Sequence, residues 1–289
     1  MRVIRADVMG MCFGVRDALA LIEGIAEPRA VTIHGQLVHN EIVQSRLESK
    51  GFALRDEPER AQSVPVTPSV LITAHGISDR ARQWLESAGK RLVDTTCPLV
   101  ARVHRAAQDL QSQGYHVLLI GRRGHVEVNG IIEDLENYDV IESVDEVTVY
   151  DSARLGVICQ TTVTDRRVAA IRSAIAARNP TAEIKFIDTV CLPTKERQSA
   201  LDRLLERVDA VVVVGGPHSN NTRELAARCG ERGKPVVHVQ DAADLEPAWF
   251  SDFRAVGLTA GTSTLPETIE QVHRALMLIG SAQGDSRKE

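Results

Sequence analysis

The sequence predicts an α/β protein of three similar βαβ-type domains with parallel sheets. Two observations carry this. Short β-branched runs alternate with helical patterns along the chain. Three of the five cysteines, Cys12, Cys97 and Cys191, fall 85 and 94 residues apart, each interval close to a third of the 289 residues.

The strand-like runs cover residues 2–6, 30–33, 70–73, 91–94, 116–120, 155–159, 183–187, 210–214, 235–239 and 255–259. Helical patterns separate them at 15–27, 41–50, 79–88, 100–113, 165–178, 197–207 and 222–232. Strands alternating with helices of this length read as βαβ units. Runs such as 117–120 and 211–214 are apolar throughout, as in strands covered on both faces. The cysteines complete the argument. Val93-Asp94-Thr95-Thr96-Cys97-Pro98 and Ile187-Asp188-Thr189-Val190-Cys191-Leu192-Pro193 echo one another, a faint internal repeat. The expected division is 13–97 (with an N-terminal strand in 1–12), 98–191 and 192–275, followed by a tail, 276–289, that reads as disordered from Ser281.

Composition narrows the function classes. With 43% hydrophobic and 25% charged residues, the chain is an ordinary folded protein. A formal net charge of −5 argues against a basic nucleic-acid binder, and 3% aromatics leave few stacking platforms for single strands. No apolar run approaches the ~20 residues of a membrane span, and the N-terminus lacks the basic and apolar regions of a signal peptide. Five cysteines are too few, and odd in number, for a disulfide framework. A cytoplasmic, reducing setting is expected, with a monomer as the default.

Cys12, Cys97 and Cys191 each follow a strand-like run and stand at a helix start, where open α/β sheets bind ligands. Three thiolates there suit zinc or an iron–sulfur cluster; the plain alternative is that they are small buried hydrophobes. For Cys159 and Cys229 the plain reading holds. His39, His75 and His125 lie in loops at strand ends, two of them beside a glycine, and suggest an anion or metal pocket. Glu127, two residues beyond His125, is a candidate proton donor if burial raises its pKa. The loops 215–222 and 259–263 offer amide, hydroxyl and carboxamide donors of the kind that surround phosphate at a helix N-terminus, with helix capping by Ser219, Asn221 or Ser263 as the plain alternative. Gln160-Thr161-Thr162 offers hydroxyls after another strand. No Walker or Rossmann fingerprint is present.

Taken in order, Gly10-Met11-Cys12-Phe13-Gly14-Val15, Val38-His39-Asn40, Ala74-His75-Gly76, Asp94-Thr95-Thr96-Cys97-Pro98, Gly124-His125-Val126-Glu127-Val128, Gln160-Thr161-Thr162, Cys191 with Arg197-Gln198, Ser219-x-Asn221 and Ala260-Gly261-Thr262-Ser263 resemble the 4-hydroxy-3-methylbut-2-enyl diphosphate reductase family, also called LytB. The resemblance spans nearly the whole chain. It implies three domains around a central [4Fe–4S] cluster held by Cys12, Cys97 and Cys191, with one iron open to the substrate's hydroxyl oxygen. It implies reductive removal of that hydroxyl, with electrons from an external ferredoxin- or flavodoxin-type donor, giving isopentenyl and dimethylallyl diphosphates. Glu127 would deliver protons with His125 beside it, and Thr161 would hold the hydroxyl. His39, His75, His125, Ser219, Asn220, Asn221 and Ser263 would hold the diphosphate.

The chain departs from the family pattern near these residues. Met11 stands where the family commonly has Phe, and Val126 where it has Pro. Leu192-Pro193-Thr194 replaces x-Ala-Thr, and Pro217-His218 replaces Lys-Asn, removing a cation and a backbone N–H. Asn220 fills a place more often Ser or Gly. These departures leave two alternatives: a paralogous iron–sulfur enzyme acting on another hydroxylated substrate, or a non-catalytic iron–sulfur sensor.

Overall fold

The computed structural model describes residues 1–286. Twelve strands run in order with nine α-helices among the described residues: β1 (Arg2–Arg5), α1 (Phe13–Glu23), β2 (Val31–His34), α2 (Glu41–Ser49), β3 (Ala53–Arg55), β4 (Ser69–Ile72), α3 (Asp79–Ser87), β5 (Arg91–Asp94), α4 (Pro98–Ser112), β6 (His116–Ile120), α5 (Val126–Ile132), β7 (Tyr138–Ile141), β8 (Arg154–Cys159), α6 (Asp165–Arg178), β9 (Glu183–Phe186), α7 (Leu192–Leu205), β10 (Ala210–Val214), α8 (Asn220–Glu231), β11 (Val236–Val239), β12 (Ala255–Ala260) and α9 (Pro266–Ser286).

The strands form three four-stranded sheets, in the orders β3-β2-β4-β5, β7-β6-β8-β9 and β11-β10-β12-β1. Every pairing is parallel. The three orders are one order repeated, so the expected fold class of three similar parallel α/β domains holds. The third repeat takes its last strand from the start of the chain: β1 lies beside β12 with Arg2 opposite Ala255 and Arg5 opposite Leu258.

The chain divides into two compact units. One comprises residues 1–13, 39–41 and those from Leu192 onward; the other comprises 14–38 and 42–191. The first holds the sheet of β1, whose central strand Ala210–Val214 is buried at every position. The second holds the other two sheets, with Leu118, Leu119 and Ile120 of β6 fully buried. Such unbroken burial explains why these strands show no polar alternation.

Four elements correct the sequence reading. Helix α9 continues to Ser286, replacing the expected disorder over 281–286; residues 287–289 lie outside the described residues. Buried Ile269, Val272 and Leu276 hold this helix, and the Met1 ammonium donates to the Gly280 carbonyl at 3.2 Å. Strands β3 and β7 and helices α5 and α9, none of them among the expected strands and helices, complete the fold. No described helix is long and apolar enough to cross a membrane.

Candidate functional site

Each cysteine of the repeat stands at a strand's carboxyl edge and immediately before a helix, Cys12 before α1, Cys97 before α4 and Cys191 before α7. Their backbones are held alike. The Cys12 amide donates to Thr262 O (3.0 Å), Cys97 to Ala74 O (3.1 Å) and Cys191 to Thr161 O (3.0 Å). Each acceptor is the second residue past the end of the neighbouring strand, β12, β4 or β8. None of the three forms a disulfide, and each is of intermediate exposure. Gly14 allows α1 to lie against Cys97, since a Cβ there would stand 2.6 Å from Sγ. Cys159 and Cys229 are fully buried, and burial pushes the Cys229 thiol up to about 12, as befits packing residues.

Cys12 belongs to one unit, and Cys97 and Cys191 to the other. Among the described residues, no three or more His, Cys, Asp or Glu side chains are gathered to ligate a metal. In donor chemistry the thiols suit an iron–sulfur cluster: they are soft ligands, not consumed in disulfides and partly open to solvent.

In the second unit, the loop after β6 turns through an Arg122–His125 hydrogen bond (His125 N to Arg122 O, 3.1 Å). His125 caps α5, its Nδ1 accepting from the Glu127 amide at 3.1 Å. With Nδ1 an acceptor, the ring proton sits on Nε2. The His75 ring stands edge-on to it, centroids 5.8 Å apart. The first turn of α5 carries Glu127 inward to 2% exposure. Its carboxylate accepts from the Thr161 amide (2.7 Å) and from the Thr161 hydroxyl (3.0 Å). Burial dominates over these two bonds and pushes the Glu127 pKa up to about 7. Glu127 is therefore a neutral or half-neutral acid near pH 7, a proton donor held against a hydroxyl.

The first unit supplies a set of donors. Ser219 caps α8, its hydroxyl accepting from Thr222 N at 3.3 Å. Asn221 Oδ1 accepts from the Thr262 amide at 3.0 Å, so its carboxamide ties the loop after β10 to the loop after β12. Its Nδ2 is buried without a hydrogen-bond partner, a donor suited to an anion at this helix N-terminus. Asn40 Nδ2 donates to Ser263 O (2.8 Å), and the Ser263 hydroxyl donates to His39 O (3.4 Å). Gly216 is required here, because a Cβ would stand 2.4 Å from His39 O. The His238 ring meets Gly215 O through Nε2 at 2.8 Å.

The structure accounts for several departures. Ser219 N donates to Gly216 O (3.1 Å), which places Pro217 second in a four-residue turn, a place whose N–H the turn does not use. Pro217 therefore takes no hydrogen bond from this turn. Pro193 sits in the first turn of α7, where its missing N–H has no helical role. Asn220 begins α8 and is 6% exposed.

Thus Ser219, Asn221, Ser263 and His39 are assembled in one unit with Asn220 at the same helix start, and Glu127, Thr161, His125 and His75 in the other. Asn40 was named in the sequence only as part of its motif; its role as a bracket on Ser263 needed a contact across 223 positions.

These features define a class: a parallel α/β protein of three repeated sheets, with a thiol at the carboxyl edge of each and a donor-lined loop at a helix start. The chain belongs to the LytB protein family, whose model matches residues 3–277. It is 34% identical to 4-hydroxy-3-methylbut-2-enyl diphosphate reductase of Ralstonia nicotianae, over 96% of this chain and 87% of that one. With the reductase of the same name from Aquifex aeolicus the identity is 31%, over 97% and 98%. Among solved structures, the E-1-hydroxy-2-methyl-but-2-enyl-4-diphosphate reductase of Plasmodium falciparum superposes with a TM-score of 0.86 at 26% identity, covering 96% of this chain and 88% of that one. A second solved (E)-4-hydroxy-3-methyl-but-2-enyl diphosphate reductase gives 0.66 at 31% identity, covering 96% and 100%.

Proposed function

We propose that this protein is an oxidoreductase that reductively dehydroxylates 4-hydroxy-3-methylbut-2-enyl diphosphate, the last step of the methylerythritol phosphate route to isoprenoids. The C–O bond of the allylic alcohol breaks, two electrons and two protons are consumed, and water leaves, giving isopentenyl and dimethylallyl diphosphates. The observation that carries this reading is the buried Glu127 acid on the Thr161 hydroxyl in a chain alike over nearly its full length to reductases of this name.

In this reading Cys12, Cys97 and Cys191 hold a [4Fe–4S] cluster. When bound, the cluster supplies single electrons and a Lewis-acidic iron. Glu127 holds the proton that the leaving oxygen needs, and Thr161 orients the hydroxyl toward it. His125 aligns the start of α5 through its bond to the Glu127 amide. His39, His75, His125, Ser219, Asn220, Asn221 and Ser263 take the diphosphate, whose charge suits amide donors and the α8 N-terminus. The electron donor is an external ferredoxin- or flavodoxin-type protein, the setting cytoplasmic, and the state monomeric. The repeat boundaries 13–97, 98–191 and 192–275 belong to the same proposal.

The deciding experiment is anaerobic turnover of the allylic diphosphate with a low-potential electron donor. Formation of both five-carbon diphosphates is expected. A protein that carries its full iron and sulfide but leaves this substrate untouched overturns the reading; turnover of another hydroxylated compound would then mark a paralogue.

A further inference from the structure

Buried Arg197 has no part in the chemistry above, yet the sequence marks it out beside Gln198 after Cys191. It is 4% exposed in α7. Its Nε and Nη2 both donate to the Gly10 carbonyl, at 2.9 and 2.6 Å, and Nη1 donates to Pro193 O at 2.8 Å. A desolvated guanidinium gripping one carbonyl with two N–H groups is a strong, charge-assisted anchor.

The three cysteine loops show what that anchor replaces. Two residues before Cys97 stands Thr95, whose hydroxyl donates to Ile72 O at 2.6 Å. Two residues before Cys191 stands Thr189, whose hydroxyl donates to Cys159 O at 2.5 Å. Ile72 and Cys159 are the last residues of β4 and β8. Two residues before Cys12 stands Gly10, whose amide donates to Ala260 O at 3.0 Å, at the end of β12. The position is the same, but the side chain is gone. It has to be: Gly10 has φ +73, and a Cβ would stand 2.4 Å from Ile269 Cδ1. With no hydroxyl to tie this loop, the hold comes from the carbonyl side, through Arg197.

We propose that Arg197 is the positioning residue of the Cys12 loop. It does for Cys12 what the threonine hydroxyls do for Cys97 and Cys191, and so governs how firmly Cys12 holds iron. The proposal rests on the reading of Cys12 as a cluster ligand. Lysine would keep the charge without the two-pronged grip on Gly10, and glutamine would lose both.

The test compares anaerobically purified full-length wild type, Arg197→Lys and Arg197→Gln. The readouts are iron release to a ferrous chelator, the electron paramagnetic resonance spectrum of the reduced centre, and thermal melting. Supports that orient ligands change metal affinity by about 10–100-fold when lost. Arg197→Gln is therefore expected to release iron about tenfold faster or more, with an altered spectrum, and Arg197→Lys to fall between it and wild type. Folded variants with wild-type release and spectrum overturn the proposal. If Arg197→Gln fails to fold, a folded Arg197→Lys with wild-type release and spectrum overturns it alone. A wild type without any iron–sulfur spectrum overturns instead the ligand reading beneath it.

Discussion

The carboxylate of Glu127 takes two hydrogen bonds from one residue, the amide and the hydroxyl of Thr161, at 2.7 and 3.0 Å. The amide bond is structural and fixes the carboxylate between α5 and the loop after β8. In the proposed reaction the hydroxyl bond is the chemical one, because there a substrate oxygen would meet the acid.

Turnover should depend on the acid form of Glu127. With its pKa near 7, the rate is expected to fall as pH rises through about 7. Glu127→Gln should lower kcat by about 10²–10⁴-fold and leave no such limb, while the affinity for inorganic diphosphate is kept. A pH profile of kcat for both proteins checks this.

The same group should write its pKa into stability. Its folded value, about 7, lies above its ordinary 4.5, so the folded state holds the extra proton between those values. Its contribution to stability is then lost as pH rises from about 4.5 to about 7 and stays lost above. Glu127→Gln should melt above wild type at alkaline pH, with the gap closing in acid. Melting temperatures at two pH values decide it; an equal gap at both refutes the assignment.

Asn221 should be the strongest neutral contributor to anion affinity. Hydrogen bonds to charged groups are worth about 1.5–3 kcal/mol, so Asn221→Ala should weaken inorganic diphosphate binding by about 10- to 100-fold. Asn221→Asp should be worse, since it sets a negative charge beside the anion. Titration calorimetry measures both.

Cysteine loss should divide the five thiols cleanly. Ser at Cys12, Cys97 or Cys191 should abolish the iron–sulfur spectrum, while Cys159→Ala and Cys229→Ala should keep it at some cost in stability. Iron and sulfide per chain, measured anaerobically, give the answer.

Two glycines should respond oppositely to alanine. At Gly216 a methyl group meets the His39 carbonyl at 2.4 Å, a clash with backbone that should cost about 1–3 kcal/mol. At Gly230, in α8, nothing lies within 4 Å, and alanine should stabilise by about 0.5–1 kcal/mol through helix propensity. Urea denaturation compares them.

The sequence shows the repeat best where chemistry and topology coincide. Thr95 and Thr189 do the same work at the same place, so the Asp-Thr-x-Cys echo is visible without coordinates. Cys12 shows less, because Gly10 carries no side chain to match. Strand β3 escapes notice as three residues, Ala53–Arg55, on a sheet edge. Strand β7, at the edge of its own sheet, begins with two exposed residues, Tyr138 and Asp139. Helix α5 is seven residues with Gly130 inside and an imidazole for a cap, below the length at which periodicity speaks. Its burial of Glu127 could not be read from composition. Nor could the reach of Arg197 to Gly10, across 187 positions, since spacing along the chain says nothing of contacts that long.

The borrowed strand β1 has a consequence in time. During synthesis β5 can join β4, and β9 can join β8, soon after each emerges. Strand β1, made first, finds its partner only when residues 255–260 have been made. Contacts so distant along the chain form late. The Cys12 loop, whose amide bonds to Thr262, is therefore the last of the three cysteine loops to be set.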